Sequence, residues 1–425
     1  MSFIEELRWR GMIHDMMPGT EEQFAKEMTA AYIGFDPTGD SLHIGSLVQI
    51  MILVHLQKAG HKPYALVGGA TGMVGDPSGK SAERNLLDAE TLNHNLACIQ
   101  KQLEKFLDFN CGENSAQVVN NYDWFREFSF LDFIRNVGKH ISVNYMMAKD
   151  SVKTRLETGM SFTEFSYQLV QGYDFYWLWK NKNCKVQLGG SDQWGNIVTG
   201  TELIRRKAGG EAFACTTPLI KKADGSKFGK TEDGNVWLDK EKTSVRDFYQ
   251  YWLNASDEDA GNYIRIFTLK TQAEIEALEA EHKKDAEQKL LQKELAKDIT
   301  IRVHSQADYD SLGLDNNIMF DRSIGQDELK NMPAEELIAA MQSYDNINAS
   351  LNQEVPIIEF LTGATGNAIY QSNGEARRAL DQNAVSINKE KVGTDYVISA
   401  NDLLPGNVII VSKGKKKHFL ITAAS

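Results

Sequence analysis

Apolar residues in the first 220 positions follow two alternating rhythms. Short β-rich runs such as Ala31-Tyr32-Ile33-Gly34-Phe35 alternate with longer stretches of helical period. That first run reads as a strand, Pro37 to Asp40 as a turn, and Ser41 as the cap of a helix reaching about Ala59. The helix is apolar on nearly every side, so it is expected to be buried. Pro63 to Gly68, Gln117 to Asn120 and Val186 to Leu188 read as further strands. The loop Gly189-Gly190-Ser191 follows, then a helix from about Asp192 to Lys207. Strand, helix and strand in this order predict a doubly wound, Rossmann-like parallel sheet with helices on both faces. Such sheets bind ligands beyond the carboxyl ends of their strands, so the chemistry is sought in the loops there.

From about Ser244 to Ser343 the pattern becomes helical and rich in alternating charge, which suits solvated helical faces. Residues 344–354 (YDNINASLNQE) are polar and short-sided and read as a linker. The tail then offers a helix capped by Ser372 or Asn373, a strand (AVSI) and a pair of strands around Gly406 and Gly414: a small α+β module. No internal repeat is visible.

A length of 425 residues suggests two or three domains. The longest strongly apolar run, Leu47 to Leu56, is broken by Gln49 and His55, well short of the ~20 residues a membrane span needs. The amino-terminal residues alternate charge with apolar side chains, unlike a secretory signal. A soluble, cytoplasmic chain with no membrane partner is expected. Cys98, Cys111, Cys184 and Cys215 are spaced 13, 73 and 31 apart, and neither they nor the nine histidines have metal-ligand spacing. No protein-bound metal is expected. The net charge of −12 argues at first against nucleic acid, but residues 353–425 carry +1 and leave −13 to the rest. A local basic edge still binds phosphate.

Three segments hold candidate chemistry. Val74 to Ser81 (VGDPSGKS) approaches a P-loop, but Gly75 and Gly79 enclose three residues where four are required. In YIGFDPTGDSLHIGS, His43 and Ser46 share one face of a helix's first turn, where free N–H groups and the dipole favour phosphate. Gly45 between them lets a flat ligand approach the backbone. An ordinary capped helix with an incidental histidine is the alternative. In KKADGSKFGKT (221–231), Lys227 and Lys230 flanked by Gly225 and Gly229 suit a mobile basic loop that clamps developing phosphate charge, or else a solvated surface loop.

Together these segments carry a resemblance. HIGS at 43–46 resembles the HIGH signature of class I aminoacyl-tRNA synthetases, and KFGKT at 227–231 resembles their KMSKS loop. SFTEFSYQLVQGYDF (161–175) and QLGGSDQWGN (187–196) resemble the bacterial-type tyrosyl-tRNA synthetases, and the likeness covers almost the whole chain. The second histidine of HIGH is Ser46 here, a hydroxyl that bonds ribose or phosphate but carries no charge.

The resemblance implies a division of the chain. Residues 1–220 would form the catalytic domain, with a dimerisation insert at about 125–160. Residues 221–343 would hold the mobile loop and a helical tRNA-contacting domain, 344–354 the linker, and 355–425 a small ribosomal-protein-like RNA-binding domain. It also implies roles. His43, Gly45 and Ser46 would hold ATP, Lys227, Lys230 and Thr231 the leaving pyrophosphate, and Gly190 and Asp192 the ribose. Tyr32 and Asp174 would bind a phenol hydroxyl, and Asp76, Tyr167 and Gln171 an ammonium group. Asp36 and Gln193 would neighbour the carboxylate or adenylate, and Asn121 and Gln187 sit at strand ends. Magnesium would travel with the nucleotide. Arg377, Arg378, Lys413, Lys415, Lys416 and Lys417 would contact tRNA(Tyr), and the chain would be a homodimer.

Three other readings compete. A tryptophanyl-tRNA synthetase shares both signatures but leaves Tyr32 with Asp174 without purpose, because indole has no hydroxyl. A P-loop hydrolase lacks its glycine spacing. A non-enzymatic RNA-binding protein leaves HIGS and KFGKT unexplained.

Overall fold

A computed structural model describes the chain except residues 77–87, 150–151, 154–158, 232–233, 321–323, 342–343, 351–353, 415–416 and 425. The side chains of 231, 314–320, 350 and 424 also lie outside the description. Two compact units emerge, Met1–Asp239 with Trp252–Leu295, and Lys240–Tyr251 with Ala296–Ser425. The division expected at residue 220 therefore moves: the lysine-bearing segment and the helices of 252–295 fold with the first unit.

The first unit is built on five parallel strands, β1 (Ala30–Phe35), β2 (Lys62–Val67), β3 (Gln117–Asn120), β4 (Cys184–Gly190) and β5 (Phe213–Thr217). Their order is β3-β2-β1-β4-β5. The chain winds outward from β1 through β2 to β3, then returns to lay β4 on the other side of β1. A crevice consequently opens where β1 and β4 diverge at their carboxyl ends. β5 was not foreseen from the sequence; it is short and buried along its length.

The numbered helices of this unit are α1 (Phe3–Trp9), α2 (Ile44–Lys58), α3 (Ala89–Leu103), α4 (Phe162–Lys182), α5 (Trp194–Ala208) and α6 (Asp257–Phe267). α2 is buried on nearly every side, as its composition requires. Its N-cap is His43 rather than Ser41: the ring Nδ1 accepts the Gly45 N–H at 3.0 Å. Ser41 is buried and bonded instead to Leu42 and Gln102. α4 starts at a capping box in which Ser161 and Glu164 exchange bonds, as their spacing dictates.

The aromatic insert divides between core and surface. Phe125, Phe128 and Phe133 pack around Tyr173, and Val137, Ile141 and Met146 are buried. Phe130 and Leu131 on the opposite face are 64% and 76% exposed, with Ile134, Val143 and Phe162 also exposed.

In the second unit the segment read as a linker is a strand. β6 (Asp345–Ser350) joins β7 (Val385–Ile387), β8 (Glu390–Lys391), β9 (Val408–Lys413) and β10 (Lys417–Ala424) in one sheet. β6 lies parallel to β10, from Phe419 opposite Asp345 to Ala424 opposite Ser350. As an edge strand it presents one row of groups to water, so a polar composition is tolerated and hides it from a hydrophobicity reading. Helices α7 (Gln326–Asn331) and α8 (Ala334–Ala340) pack on this sheet. Leu329, Leu337 and Met341 share a core with Leu404, Val408, Ile410 and Leu420. The small α+β module thus starts before residue 330. α9 (Asn373–Asp381), capped by Ser372, completes it.

Candidate active site

A cavity of about 330 Å³ occupies the crevice between the carboxyl ends of β1 and β4. On β1, side chains alternate faces, so Tyr32 and Asp36, four apart, project to the same side. On α4, Tyr167, Gln171 and Asp174 fall at i, i+4 and i+7, one helical face. All five line the cavity. The loop after β4 supplies Gly190, Asp192 and Gln193, and the amino end of α2 supplies His43, Gly45 and Ser46. Asp76 also lines it. With Gln187 from β4, thirteen residues expected from the sequence therefore converge on one space.

Asp174 is 1% exposed. Its Oδ1 accepts the Trp124 indole N–H at 2.9 Å and its Oδ2 the Asn121 amide N–H at 3.1 Å. Burial pushes its pKa from 3.8 up to about 8, outweighing those two donors, which favour the ionised form. Tyr32 sits nearby, 1% exposed, and burial together with the charge of Asp174 pushes its phenol well above the ordinary value. Four polar atoms around the cavity are buried without a hydrogen-bond partner among the described residues: Tyr32 Oη, Gln49 Oε1, Gln171 Oε1 and Gln187 Oε1. Buried polar atoms normally have partners. Four orphans facing one cavity mark a place where a polar ligand supplies them.

The remaining polar groups hold one another. Asp36 accepts from Tyr167 Oη and Thr71 Oγ1, both at 3.0 Å. Burial, aided by Asp36, pushes the Tyr167 phenol well up. Gln193 donates to Asp76 Oδ2 at 2.8 Å and accepts from Asn196. Burial also raises Asp192. Asn121 is fully buried, bonded to Ala70 N and Thr71 Oγ1 as well as to Asp174. Among the described residues no group of three His, Cys, Asp or Glu is arranged to hold a metal ion.

The two signature segments meet through their backbones. Ile44 N donates to Val236 O, Leu238 N to Leu42 O, and Val236 N to Gly229 O. Gly229, at φ +82°, leaves only 3.2 Å between a would-be Cβ and Ile44 Cγ1, so a side chain there would push the segments apart. A Cβ at Gly45 would stand 2.7 Å from the His43 ring. Lys227 and Lys230 are exposed and do not line the cavity. Thr231 pairs through its backbone with Gly234, and its side chain lies outside the described residues.

In the second unit Arg377 and Arg378 are exposed on α9, and Lys417 is exposed at the start of β10. Lys415 and Lys416 lie outside the described residues. Lys413 departs from the picture of a free basic turn. Its Nζ donates to Ile369 O at 2.8 Å and Glu375 Oε1 at 3.2 Å, and stands 4.0 Å from the centre of the Tyr370 ring. Two side chains were not singled out from the sequence, Trp124 and Phe228. For Trp124 the signal was its place just beyond a strand's carboxyl end; for Phe228 it was a lone aromatic between two lysines.

The sheet order and the cavity define an α/β core of the enzyme type, with a polar crevice beside the amino end of a buried helix. The family model for tRNA synthetases class I (W and Y) matches residues 25–312, and that for the tyrosine--tRNA ligase SYY-like C-terminal domain matches residues 336–421. The chain is 57% identical to the tyrosine--tRNA ligase of Bacteroides fragilis over 430 residues, the whole of both chains. It is also 57% identical to that of Flavobacterium johnsoniae, over 99% of each. Among solved structures, a C-terminally truncated mitochondrial tyrosyl-tRNA synthetase of Aspergillus nidulans superposes with a TM-score of 0.68 at 29% identity, covering 74% of this chain and 93% of that one. A Plasmodium falciparum tryptophanyl-tRNA synthetase shares the fold at a TM-score of 0.51 and 12% identity, covering 72% of this chain and 85% of its own. The chain belongs to the class I tRNA synthetases of the tyrosine and tryptophan family, in its bacterial tyrosyl branch.

The state of Asp174 is testable through stability. The folded chain keeps a proton on Asp174 that the unfolded chain releases, so this contribution is full below about pH 4 and is lost as pH rises through about 8. Asp174→Asn removes the titration. The stability difference in favour of the variant is expected to grow from pH 4 to pH 8 and then level off in urea unfolding. A difference independent of pH contradicts a protonated Asp174.

Proposed function

We propose that this chain is a tyrosine--tRNA ligase that works in two steps at the cavity between β1 and β4. In the first, a carboxylate oxygen of L-tyrosine attacks the α-phosphorus of ATP. The bond to the bridging oxygen breaks, and pyrophosphate leaves with its electrons. In the second, a ribose hydroxyl at the 3′ end of tRNA(Tyr) attacks the carbonyl carbon of tyrosyl-adenylate. The ester forms, AMP leaves, and the hydroxyl proton is released. Both steps ask chiefly for positioning and charge stabilisation.

The observation that carries this reading is the buried Tyr32 phenol without a partner beside the Asp174 carboxyl. A phenol hydroxyl satisfies both, and neither an indole nor a phenyl ring does. Tyr167 and Gln171 with Asp76 then meet the ammonium group, while Asp36 and Gln193 flank the carboxylate. His43, Gly45 and Ser46 receive the phosphates at the amino end of α2, and Gly190 and Asp192 the ribose. Lys227, Lys230 and Thr231 act on the departing pyrophosphate, and magnesium arrives with the nucleotide. Work on ATP and tRNA fits a cytoplasmic chain; among the described residues no helix is long and apolar enough to cross a membrane.

The test is tyrosine-dependent exchange of labelled pyrophosphate into ATP, which wild type is expected to catalyse and tryptophan not to support. Leaving a buried polar group unsatisfied costs about 1–3 kcal/mol. Tyr32→Phe and Asp174→Ala are therefore each expected to shrink the preference for tyrosine over phenylalanine by ~10- to 100-fold. Discrimination equal to wild type in both variants rules out the phenol assignment.

The exposed Phe130, Leu131 and Ile134 support a homodimer joined through the insert, because a contiguous apolar patch on a soluble chain usually marks an interface. Sedimentation at micromolar concentration is expected to give a dimer, and Leu131→Arg to shift it toward monomer. A wild-type monomer contradicts this.

The α+β module supplies the tRNA contacts through Arg377, Arg378, Lys415, Lys416 and Lys417. Lys413 belongs to this basic edge with its charge shared with Glu375. Such contacts fix position on phosphates rather than read bases. The double variant Arg377→Ala, Arg378→Ala is expected to leave pyrophosphate exchange within twofold while lowering kcat/KM for tRNA by ~10-fold, with a salt dependence shallower by up to two contacts. Unchanged charging at every salt concentration places the RNA surface elsewhere.

A further inference from the structure

The lysine segment is held by a helix that takes no part in the cavity. Asp259, Tyr263 and Phe267 recur every four residues and share one face of α6. All three are buried, and all three meet the segment. Asp259 Oδ1 accepts the Ala223 N–H at 2.9 Å. The Phe228 ring stands 5.1 Å from Tyr263, edge to face, and stacks on Phe267 at 5.5 Å. Trp252 closes a third side at 5.9 Å. α6 is anchored in turn by Arg10, 3% exposed, which donates to the carbonyls of Arg265, Thr268 and Lys270 around the helix's end. Carbonyls at a helix end lack partners within the helix, and a buried cation there satisfies them and complements the dipole.

Phe228 lies between the two exposed lysines. On one side Lys227 bridges to Lys221 and closes the turn in which Lys222 N donates to Ser226 O. On the other, Gly229 rests against Ile44 at the amino end of α2. The segment therefore touches α2 through a residue without a side chain and is gripped from behind by its one aromatic. We propose that Phe228 is the positioning residue of the lysine segment. Its seat against Trp252, Tyr263 and Phe267 sets where Lys227 and Lys230 stand relative to the phosphate end of α2. It acts through the lysines and touches no substrate. The proposal rests on the adenylate-forming reading given above.

The test is a cycle of pyrophosphate-exchange measurements on wild type, Phe228→Ala, Phe228→Leu, Lys230→Ala and the corresponding double variants, with tyrosine binding followed at equilibrium. Misplacement by about 1 Å costs on the order of a hundredfold in rate. Phe228→Ala is expected to slow exchange by ~10- to 100-fold with the tyrosine Kd within twofold, and Phe228→Leu to recover most of the rate. On a Lys230→Ala background the same change is expected to cost less than about threefold, since the group it positions is gone. A merely structural role moves tyrosine binding as well and costs the same factor in both backgrounds; that result overturns the proposal, as does wild-type exchange in Phe228→Ala. If Phe228→Ala does not fold, the cycle is run with Phe228→Val, which keeps less of the ring's contact than leucine: a loss that needs Lys230 supports the proposal, and no loss or an equal loss overturns it. The wild-type arm is read first, and its failure to exchange overturns the synthetase reading together with the proposal.

Discussion

A buried carboxyl group held by two neutral donors sets the terms for the catalytic unit. Asp174 reaches the cavity because α4 crosses beneath it, and it stays there because Trp124 and Asn121 donate to its two oxygens. Those donors come from the loop after β3, so the outermost strand and a helix following the insert are tied at one point. Asn121 extends the tie to Ala70 and Thr71 beyond β2, and Thr71 passes it to Asp36 beyond β1. Three strand ends and one helix thus share a single polar network around the cavity in which we propose that the tyrosine phenol binds. Buried polar groups are costly when unsatisfied, so such a network defines its own ligand.

The nucleotide side is organised differently. Among the described residues, main-chain bonds anchor it. Residues 42–44 and 236–238 pair across the amino end of α2, and Gly229 is drawn in by Val236. The two lysines stand outside the cavity. The surroundings of Asp174 are tied through side chains, whereas the amino end of α2 is tied through backbone with two exposed lysines nearby in the segment that touches it. That separation matches the chemistry, in which tyrosine must be recognised before reaction and pyrophosphate must be released after it.

The sheet was legible in the sequence because parallel strands buried on both faces are short and apolar, and four of the five stood out. The residues that line the cavity were legible because Tyr167, Gln171 and Asp174 keep helical spacing, HIGS follows β1, and QLGGSDQWGN runs out of the end of β4. What stayed hidden depended on partners distant in sequence. β6 is polar because it lies at a sheet edge, so its composition imitates a linker. Lys413 sits in a basic turn by sequence, but in space it meets Glu375, Ile369 and Tyr370. The cap of α2 fell to His43 because Ser41 is occupied by Gln102, sixty-one residues away. Trp124 and Phe228 gained their importance from Asp174 and from α6, which no local pattern announces.

The central claim is that the cavity is completed by a phenol hydroxyl. Calorimetric titration of the wild-type protein with L-tyrosine and then L-phenylalanine tests it directly, without any substitution. With the Tyr32 hydroxyl left without a partner by phenylalanine, at about 1–3 kcal/mol, tyrosine is expected to bind ~10- to 100-fold more tightly. Comparable affinities for the two amino acids would contradict the account.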